Sequence, residues 1–195
     1  MKPMMFVTAL FAASTAQAAP VTYVIDNSHT YPHFTYNHLG FSNQTHKFDT
    51  TRGFVVIDRA AQTGMAEVVI DTKSVNTGHA LFNQHIQGAD FFDTATYSTM
   101  TFIGDKMKFR KGIPVSLTGD LSLKGVTKPV TLAITHFKCM MHPMKKVEAC
   151  GANASATIKR SAFNMGKYAP LVSDDVTLTL AIEALQEQSM ANESK

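Results

Sequence analysis

The residues with the richest potential chemistry stand in one short segment. Cys139 and Cys150 enclose Met140-Met141-His142-Pro143-Met144, a run typical of a hairpin loop. Thiolate, thioether and imidazole are soft donors that suit Cu(I), so the segment could hold copper. The two cysteines could instead pair, because an even number at close spacing in an oxidising compartment is typical of a disulfide. We favour the Cys139–Cys150 disulfide with no metal site, and keep copper or redox handling as the alternative function.

No arrangement of residues in the chain is typical of an enzyme. There are eight His, but no His-Glu-x-x-His, no Gly-x-Ser-x-Gly and no glycine-rich phosphate loop. His29 and His33 would lie about 13 Å apart on one face of an extended strand, too far for one metal ion. Asp174 and Asp175 would point to opposite faces, which makes them poor acid–base partners. The sequence therefore predicts a binding protein rather than an enzyme.

The N-terminus resembles a targeting signal. Lys2 precedes an apolar stretch over residues 4–13, and Ala16-Gln17-Ala18 offers small residues for cleavage before Ala19. We predict a signal peptide over residues 1–18 and a mature protein in the periplasm or outside the cell. Loss of Lys2 lowers the formal net charge from +3 to +2, and no basic run follows. This charge pattern argues against nucleic acid as a partner.

Residues 19–195 show the patterns of a single β domain. Apolar and polar residues alternate over 115–123, Lys124-Gly125 interrupts them, and the alternation resumes over 130–134, which predicts a hairpin. Other runs predict strands at 21–26, 32–37, 53–58, 65–71, 99–103, 155–158 and 176–184. Residues 78–90 lack alternation and predict a short helix across an opening. About eight short strands separated by turns are typical of a sandwich or a closed barrel.

Composition bears on what the interior of such a fold contains. The chain has 13 Phe and 11 Met but no Trp. A barrel of about eight strands either fills with side chains or holds one small ligand. Phe, Met and Leu could line a long apolar slot, or they could be ordinary core residues. Composition alone leaves both interpretations open.

Several motifs together resemble one known family. They are His38-Leu39-Gly40-Phe41-Ser42, Ser74-Val75-Asn76-Thr77-Gly78, Asp90-Phe91-Phe92-Asp93, Thr118-Gly119-Asp120-Leu121-Ser122-Leu123-Lys124-Gly125-Val126-Thr127-Lys128-Pro129-Val130 and Val172-Ser173-Asp174-Asp175-Val176. On these motifs the mature chain is similar to the YceI-like family. The resemblance implies a lipocalin-like antiparallel β-barrel that binds a polyisoprenoid, commonly an isoprenoid quinone, or another long-chain amphiphile. It implies no other cofactor, and it allows a homodimer and a transient contact with a membrane or a membrane protein.

The resemblance and the alternation pattern together give a set of candidate ligand-binding residues. Leu121 and Leu180 are expected to face the interior and contact a ligand tail. The other candidates are expected at the mouth of the barrel: His38, Phe82, His85, Asp90, Phe91 and Arg160. The polar members of this second group have alternative roles, because Asp90 could cap a turn, His85 could satisfy a helix end, and Arg160 could pair with Asp174 or Asp175.

The chain departs from the family pattern at three places. His46-Lys47-Phe48 stands where the family usually has Gly-x-Phe, Phe82-Asn83 where it has Arg-Asp, and Ala162-Phe163-Asn164 where it has Asp-Phe-Gly. Two charges are therefore missing near the expected mouth. An anionic phosphate would normally meet a positioned Arg or Lys, so we predict a ligand with a neutral head group. Phe82 could either extend the apolar slot or plug its end.

Overall fold

The computed structural model describes residues 19–187, so the predicted signal peptide at 1–18 and residues 188–195 lie outside the described part. Within that part there are eleven strands and one α-helix. The strands are β1 (Val21–Ile25), β2 (Tyr31–His38), β3 (Ser42–Phe48), β4 (Thr51–Asp58), β5 (Thr63–Asp71), β6 (Val75–Asn76), β7 (Thr99–Arg110), β8 (Ile113–Leu123), β9 (Val126–Met141), β10 (Glu148–Lys159) and β11 (Asp175–Gln186), and the helix is α1 (Ala80–Gln87).

The strands close into an eight-stranded antiparallel barrel, as predicted. Its order is β1-β4-β5-β7-β8-β9-β10-β11, and β11 returns to pair with β1. Strand β11 also pairs with β2 along its first half, so β1 and β2 share one position in the barrel and a short 3-10 turn at Asn27–His29 separates them. Strands β3 and β6 extend the sheet beyond β2.

The helix lies at one end of the barrel. Strand β6 pairs with β3, whereas β7 pairs with β5 and β8 in the described part of the chain. Helix α1 belongs to the segment that connects β6 to β7 in the sequence. Its residue Ile86 is buried in the main core. We call this end the mouth: α1, the β2–β3 turn at 38–42 and the β10–β11 connection at 160–174. None of the helices in residues 19–187 has the length and apolar character needed to cross a membrane.

The β8–β9 hairpin holds the mouth segments in place. Lys124 in its turn is buried, and its Nζ donates to the carbonyls of Ala89 at 2.6 Å and Asn164 at 2.8 Å. A buried ammonium group is stable only with such acceptors. The next residue, Gly125, has φ +75°, and a Cβ there would lie 3.0 Å from the ring of Tyr97. Lys124 therefore joins the segment after α1 to the β10–β11 connection, so the hairpin turn does more than reverse the chain.

The opposite end, which we call the floor, is closed by a small core and a polar cluster. Tyr23, Ile57, Cys150 and Ala184 form this core. The hydroxyl of Tyr23 donates to Glu148 at 2.5 Å, and Arg59 donates to the Tyr23 oxygen at 2.9 Å. Burial of Tyr23, and then its hydrogen bond to Glu148, raise the pKa of the phenol from 10.0 to about 12. The cluster therefore favours the neutral phenol in the folded state.

This pKa predicts a loss of stability in alkali. The pKa of the Tyr23 phenol is higher in the folded state than in the unfolded chain. Its contribution to the free energy of unfolding is therefore complete below pH 10.0 and disappears as the pH rises through about 12. Tyr23→Phe removes the hydroxyl, so its free energy of unfolding should be lower by about 1–2 kcal/mol at neutral pH and should fall less in alkali. Urea unfolding across the alkaline range measures this. Tyr31→Phe, which removes an exposed hydroxyl, is the matched control and should follow the wild-type curve.

Candidate ligand-binding site

An apolar cavity of about 350 Å³ occupies the barrel interior. Its lining includes Tyr23, Ile57 and Cys150 at the floor and Phe82 and Tyr168 at the mouth, so it extends along the barrel. Its volume is within the range of small-molecule sites in proteins. Side chains therefore do not fill the interior. Of the two interpretations of the Phe and Met content, this favours an apolar ligand slot over an ordinary packed core.

The wall of the cavity consists of inward-facing strand residues. Alternate residues of a strand point to one face of the sheet, and this places apolar side chains from several strands on the inner surface. Leu121 of β8 and Leu180 of β11 both line the cavity. Other members of the wall are Phe34, Val68, Phe102, Leu117, Leu132 and Leu178. Arg160 is the one Lys, Arg, Asp or Glu side chain among the described residues of the lining.

Five of the residues expected at the mouth line the cavity there: His38, Phe82, His85, Phe91 and Arg160. Three of them form an aromatic row that continues to Tyr168. The ring centroids are 6.1 Å apart for Phe82 and His85, 5.0 Å for His85 and Phe91, and 6.3 Å for Phe91 and Tyr168. The structure thus brings these residues together, while their contact with a ligand remains a prediction.

Arg160 is buried and holds the β10–β11 connection by its backbone. Its Nε donates to the carbonyl of Ser173 at 2.8 Å, Nη2 to Val172 at 2.7 Å, and Nη1 to Lys167 at 2.7 Å and to Met165. Burial lowers the pKa of this guanidinium, and the nearby charge of Asp174 opposes that effect. Four of its five N–H groups are used by the protein itself, so Arg160 is mainly a brace for the mouth.

The two carboxylates considered as partners of Arg160 bind elsewhere. Asp174 accepts hydrogen bonds from the Ser161 backbone N–H at 2.8 Å and the Ser161 hydroxyl at 2.7 Å, and these bonds lower its pKa. Asp175 pairs with Lys159 at 2.8 Å on the surface. The alternative role of Arg160 as a partner of Asp174 or Asp175 is therefore not the one observed, because backbone carbonyls of the following connection accept the hydrogen bonds of the guanidinium.

Asp90 lies outside the cavity. Its side chain is 53% exposed and pairs with Lys167 on the outer surface of the mouth. It neither lines the cavity nor caps a turn through a hydrogen bond among the described residues. The structure thus separates Asp90 from the other candidates, because the turn after α1 directs this carboxylate to solvent.

Two of the departures from the family pattern are neighbours in space. The buried ring of His46 meets Phe82 edge to face with centroids 5.4 Å apart, and its Nε2 lies 3.1 Å from the Tyr36 hydroxyl. Burial lowers the pKa of His46, which favours the neutral ring. The side chain of Asn83 accepts hydrogen bonds from Thr77 and belongs to the start of the helix. Phe82 therefore extends the apolar wall at the mouth, with His46 packed behind it.

Tyr36, Tyr168 and Val172 also line the mouth, although they are not among the candidates expected from the sequence. Tyr36 could have been found, because it continues the inward alternation of Pro32, Phe34 and His38 along β2. Val172 begins one of the motifs that carry the resemblance, but its polar neighbours drew attention to Asp174 and Asp175 instead. Tyr168 lies in a connection without a periodic pattern, so no signal in the sequence marks it.

The predicted disulfide is present at the floor. Cys139 and Cys150 are bonded and lie directly opposite each other in the β9–β10 pairing. The bond removes both thiolates from the proposed copper ligands. The Nδ1 of His142 accepts from the backbone N–H groups of Met144 and Lys145, so the neutral ring carries its proton on Nε2 and offers no free lone pair to a metal. In residues 19–187 there is no group of three His, Cys, Asp or Glu residues that could hold a metal ion.

The disulfide is testable by intact mass measurement. Protein produced in an oxidising compartment should show no reactive thiol, and reduction should add two hydrogen atoms and make both cysteines available to an alkylating reagent. The Cys139→Ser/Cys150→Ser variant, alkylated in parallel, controls for reaction at other side chains. Two alkylated thiols before reduction, together with stoichiometric copper, would restore the copper hypothesis.

Comparison with known proteins places this barrel in a family. A family model described as a YceI-like domain matches residues 23–184. The chain belongs to the YceI-like family. Protein YceI of Escherichia coli is 33% identical over 186 residues, which cover 94% of this chain and 95% of the relative. Among solved structures, BcnA of Burkholderia cenocepacia superposes with a TM-score of 0.71 at 25% identity, covering 82% of this chain and 99% of BcnA.

A second solved structure shares the fold at lower identity. It is a polyisoprenoid binding domain from Saccharophagus degradans, with a TM-score of 0.63, 21% identity and coverage of 86% of this chain and 99% of that domain. At this identity the similarity shows the fold alone. The lipocalin-like barrel expected from the sequence is thus confirmed, with the helix at its mouth.

Proposed function

We propose that this YceI-like protein is a periplasmic carrier that holds a polyisoprenoid with a neutral head group, such as an isoprenoid quinone, without changing it chemically. The observation that carries the proposal is the apolar cavity between floor and mouth, with Arg160 as its one Lys, Arg, Asp or Glu side chain in the described residues. The solved Saccharophagus degradans relative is described as a polyisoprenoid binding domain, which agrees with this ligand class. The predicted signal peptide and the Cys139–Cys150 disulfide support an oxidising compartment.

The wall supplies affinity for an isoprenoid tail. Each CH₂ group that leaves water contributes about 0.8 kcal/mol, so a tail that fills the barrel binds without any catalytic group. Leu121 and Leu180 lie on two strands of the wall and offer only apolar contact. A chain of isoprene units suits this surface, because it makes no hydrogen bonds that the wall would leave unsatisfied.

The mouth favours a neutral acceptor over an anion. Arg160 has one N–H group left after its four bonds to backbone carbonyls, which is too few for the bidentate recognition that phosphate usually receives. The remaining polar groups of the mouth lining are Tyr36, His38, His85 and Tyr168. Hydroxyl and imidazole groups can donate single hydrogen bonds to a quinone carbonyl, and the aromatic row can stack on its ring.

The first test identifies the ligand directly. Protein purified from the envelope of its own host is examined by native mass spectrometry, and an organic extract of the same sample is analysed for polyprenyl lipids. We expect one polyisoprenoid per chain with a neutral head group. Protein that carries no lipid and binds no polyprenyl compound in the apo form would exclude a carrier function, and metal analysis of that sample would test the copper alternative.

The second test concerns the head group. Apo protein is offered a polyprenyl quinone and a polyprenyl phosphate of equal chain length, at low salt where attraction of an anion to Arg160 is strongest. The quinone should be retained preferentially. Preference for the phosphate that weakens as salt is raised would contradict the neutral head group and leave the tail site in place.

A further inference from the structure

Five large apolar side chains are exposed around the mouth. Phe41 is 85% exposed, Leu81 and Leu171 are each 69% exposed, Tyr168 is 51% exposed and Leu39 is 44% exposed. We call these five residues the apolar rim. Scattered exposed apolar residues are normal on a protein surface, but a group at one end is typical of an interaction site.

Two of the three rim segments are bonded to each other. The N–H of Leu39 donates to the carbonyl of Leu171 at 2.9 Å, and the neighbouring residues His38 and Val172 form an isolated β-bridge. The β2–β3 turn and the β10–β11 connection are thus held side by side. Tyr168 contacts Phe91, which lies beyond the C-terminus of α1.

The rim borders the opening of the cavity. Tyr168 belongs to both the rim and the cavity lining. His38, Phe82 and Val172, which line the cavity, are each next in sequence to a rim residue. The apolar surface is therefore continuous from the outside of the mouth into the barrel.

The rim segments carry almost no charge. Across residues 38–42, 79–82 and 166–173, Lys167 is the one Lys, Arg, Asp or Glu, and it is paired with Asp90. The other end of the molecule also exposes apolar residues, namely Ile113, Met140, Met141 and Met144. It differs in charge, because Lys111, Lys138, Lys145 and Lys146 stand close to them in the sequence. An electroneutral apolar surface with aromatic residues suits the interfacial layer of a bilayer, where binding depends on buried apolar area.

We propose that the apolar rim inserts into the surface of a lipid bilayer, so that the cavity opens toward the membrane and its ligand moves between the two without crossing water. This proposal rests on the proposed function, since only a ligand with an insoluble tail needs such a path. The partner is the bilayer itself, with no requirement for anionic lipid, because the rim offers no net charge to attract it.

Single-tryptophan variants test the orientation of docking. The wild-type chain has no Trp, so Phe41→Trp at the rim and Met144→Trp at the floor each place one reporter at a highly exposed site. Phosphatidylcholine vesicles without polyisoprenoid are added to each. The emission of Phe41→Trp should shift to the blue, with little dependence on salt, and that of Met144→Trp should not. No shift at position 41, or equal shifts at both positions, would overturn the proposal.

Paired serine variants test the contribution of the rim. Phe41→Ser/Leu171→Ser should bind vesicles at least about tenfold more weakly in co-sedimentation, whereas Ile113→Ser/Met144→Ser should bind as the wild type does. An equal loss of vesicle binding in both double variants, or no loss in either, would contradict a rim-specific contact. A blue shift of Phe41→Trp that grows with protein concentration in the absence of vesicles would assign the rim to a second copy of the chain and overturn the membrane proposal.

Ligand binding is measured separately with a soluble short-chain isoprenoid quinone. Binding of this probe should be equal in the wild type and in both serine variants, because none of the four replaced side chains lines the cavity. Vesicle docking without probe binding would contradict the proposed function alone. Probe binding without vesicle docking would contradict only the membrane contact.

Discussion

Leu121→Lys should give a folded barrel that no longer carries lipid. Leu121 is buried in the wall of β8 and lines the cavity. A lysine there would place an unpaired ammonium group against the ligand tail, at a cost of several kcal/mol. Lipid extracted per mole of protein should fall to background, as measured by mass spectrometry. Circular dichroism on the same sample establishes whether the barrel is intact.

The matched control is Ile103→Lys. Ile103 lies on β7, is 50% exposed and faces outward opposite Asp120 of β8, so a lysine there meets solvent and a carboxylate. This variant should retain the wild-type amount of lipid. If Leu121→Lys does not fold, Leu180→Lys places the same charge at a partly buried position of the wall on β11. A folded Leu121→Lys or Leu180→Lys variant with an unchanged lipid content would remove the interior from the mechanism.

Arg160→Met should destabilise the protein by about 3 kcal/mol or more. The substitution keeps a side chain of similar length but leaves four carbonyls of the β10–β11 connection without their donor, and each unsatisfied buried group costs about 1–3 kcal/mol. Urea unfolding measures the loss. Hydrogen exchange should also quicken in residues 165–174, because this connection depends on the guanidinium.

Lys159→Met is the control for this substitution. The two positions are adjacent, but Lys159 is 63% exposed and forms a surface pair with Asp175. Its stability should be indistinguishable from that of the wild type, since exposed ion pairs contribute little. Equal stability of Arg160→Met and Lys159→Met would show that the buried guanidinium is not a brace. It would also make Arg160 available again for a role at the ligand head group.

The strands of the barrel were largely predictable from local alternation. The β8–β9 hairpin and β11 show an inward apolar face because one side of each strand packs on the interior and the other meets solvent. Strand β3 was not predicted, because its sequence, Ser-Asn-Gln-Thr-His-Lys-Phe, is polar on both faces except near its end. The outer part of β9 was also missed, since it extends to Met141 beyond a bulge where the alternation changes phase.

The sequence by itself determined the fold family, the strand faces, the short helix and the pairing of Cys139 with Cys150, because each depends on local periodicity, spacing or a long motif. Only the tertiary structure decided the arrangement of the mouth. In that arrangement Asp90 faces solvent, Arg160 donates to backbone carbonyls and His46 packs behind Phe82. These segments have no periodicity, and their side chains are oriented by contacts between distant parts of the chain, such as the bond from Leu39 to Leu171. Such contacts exist only after the barrel has closed.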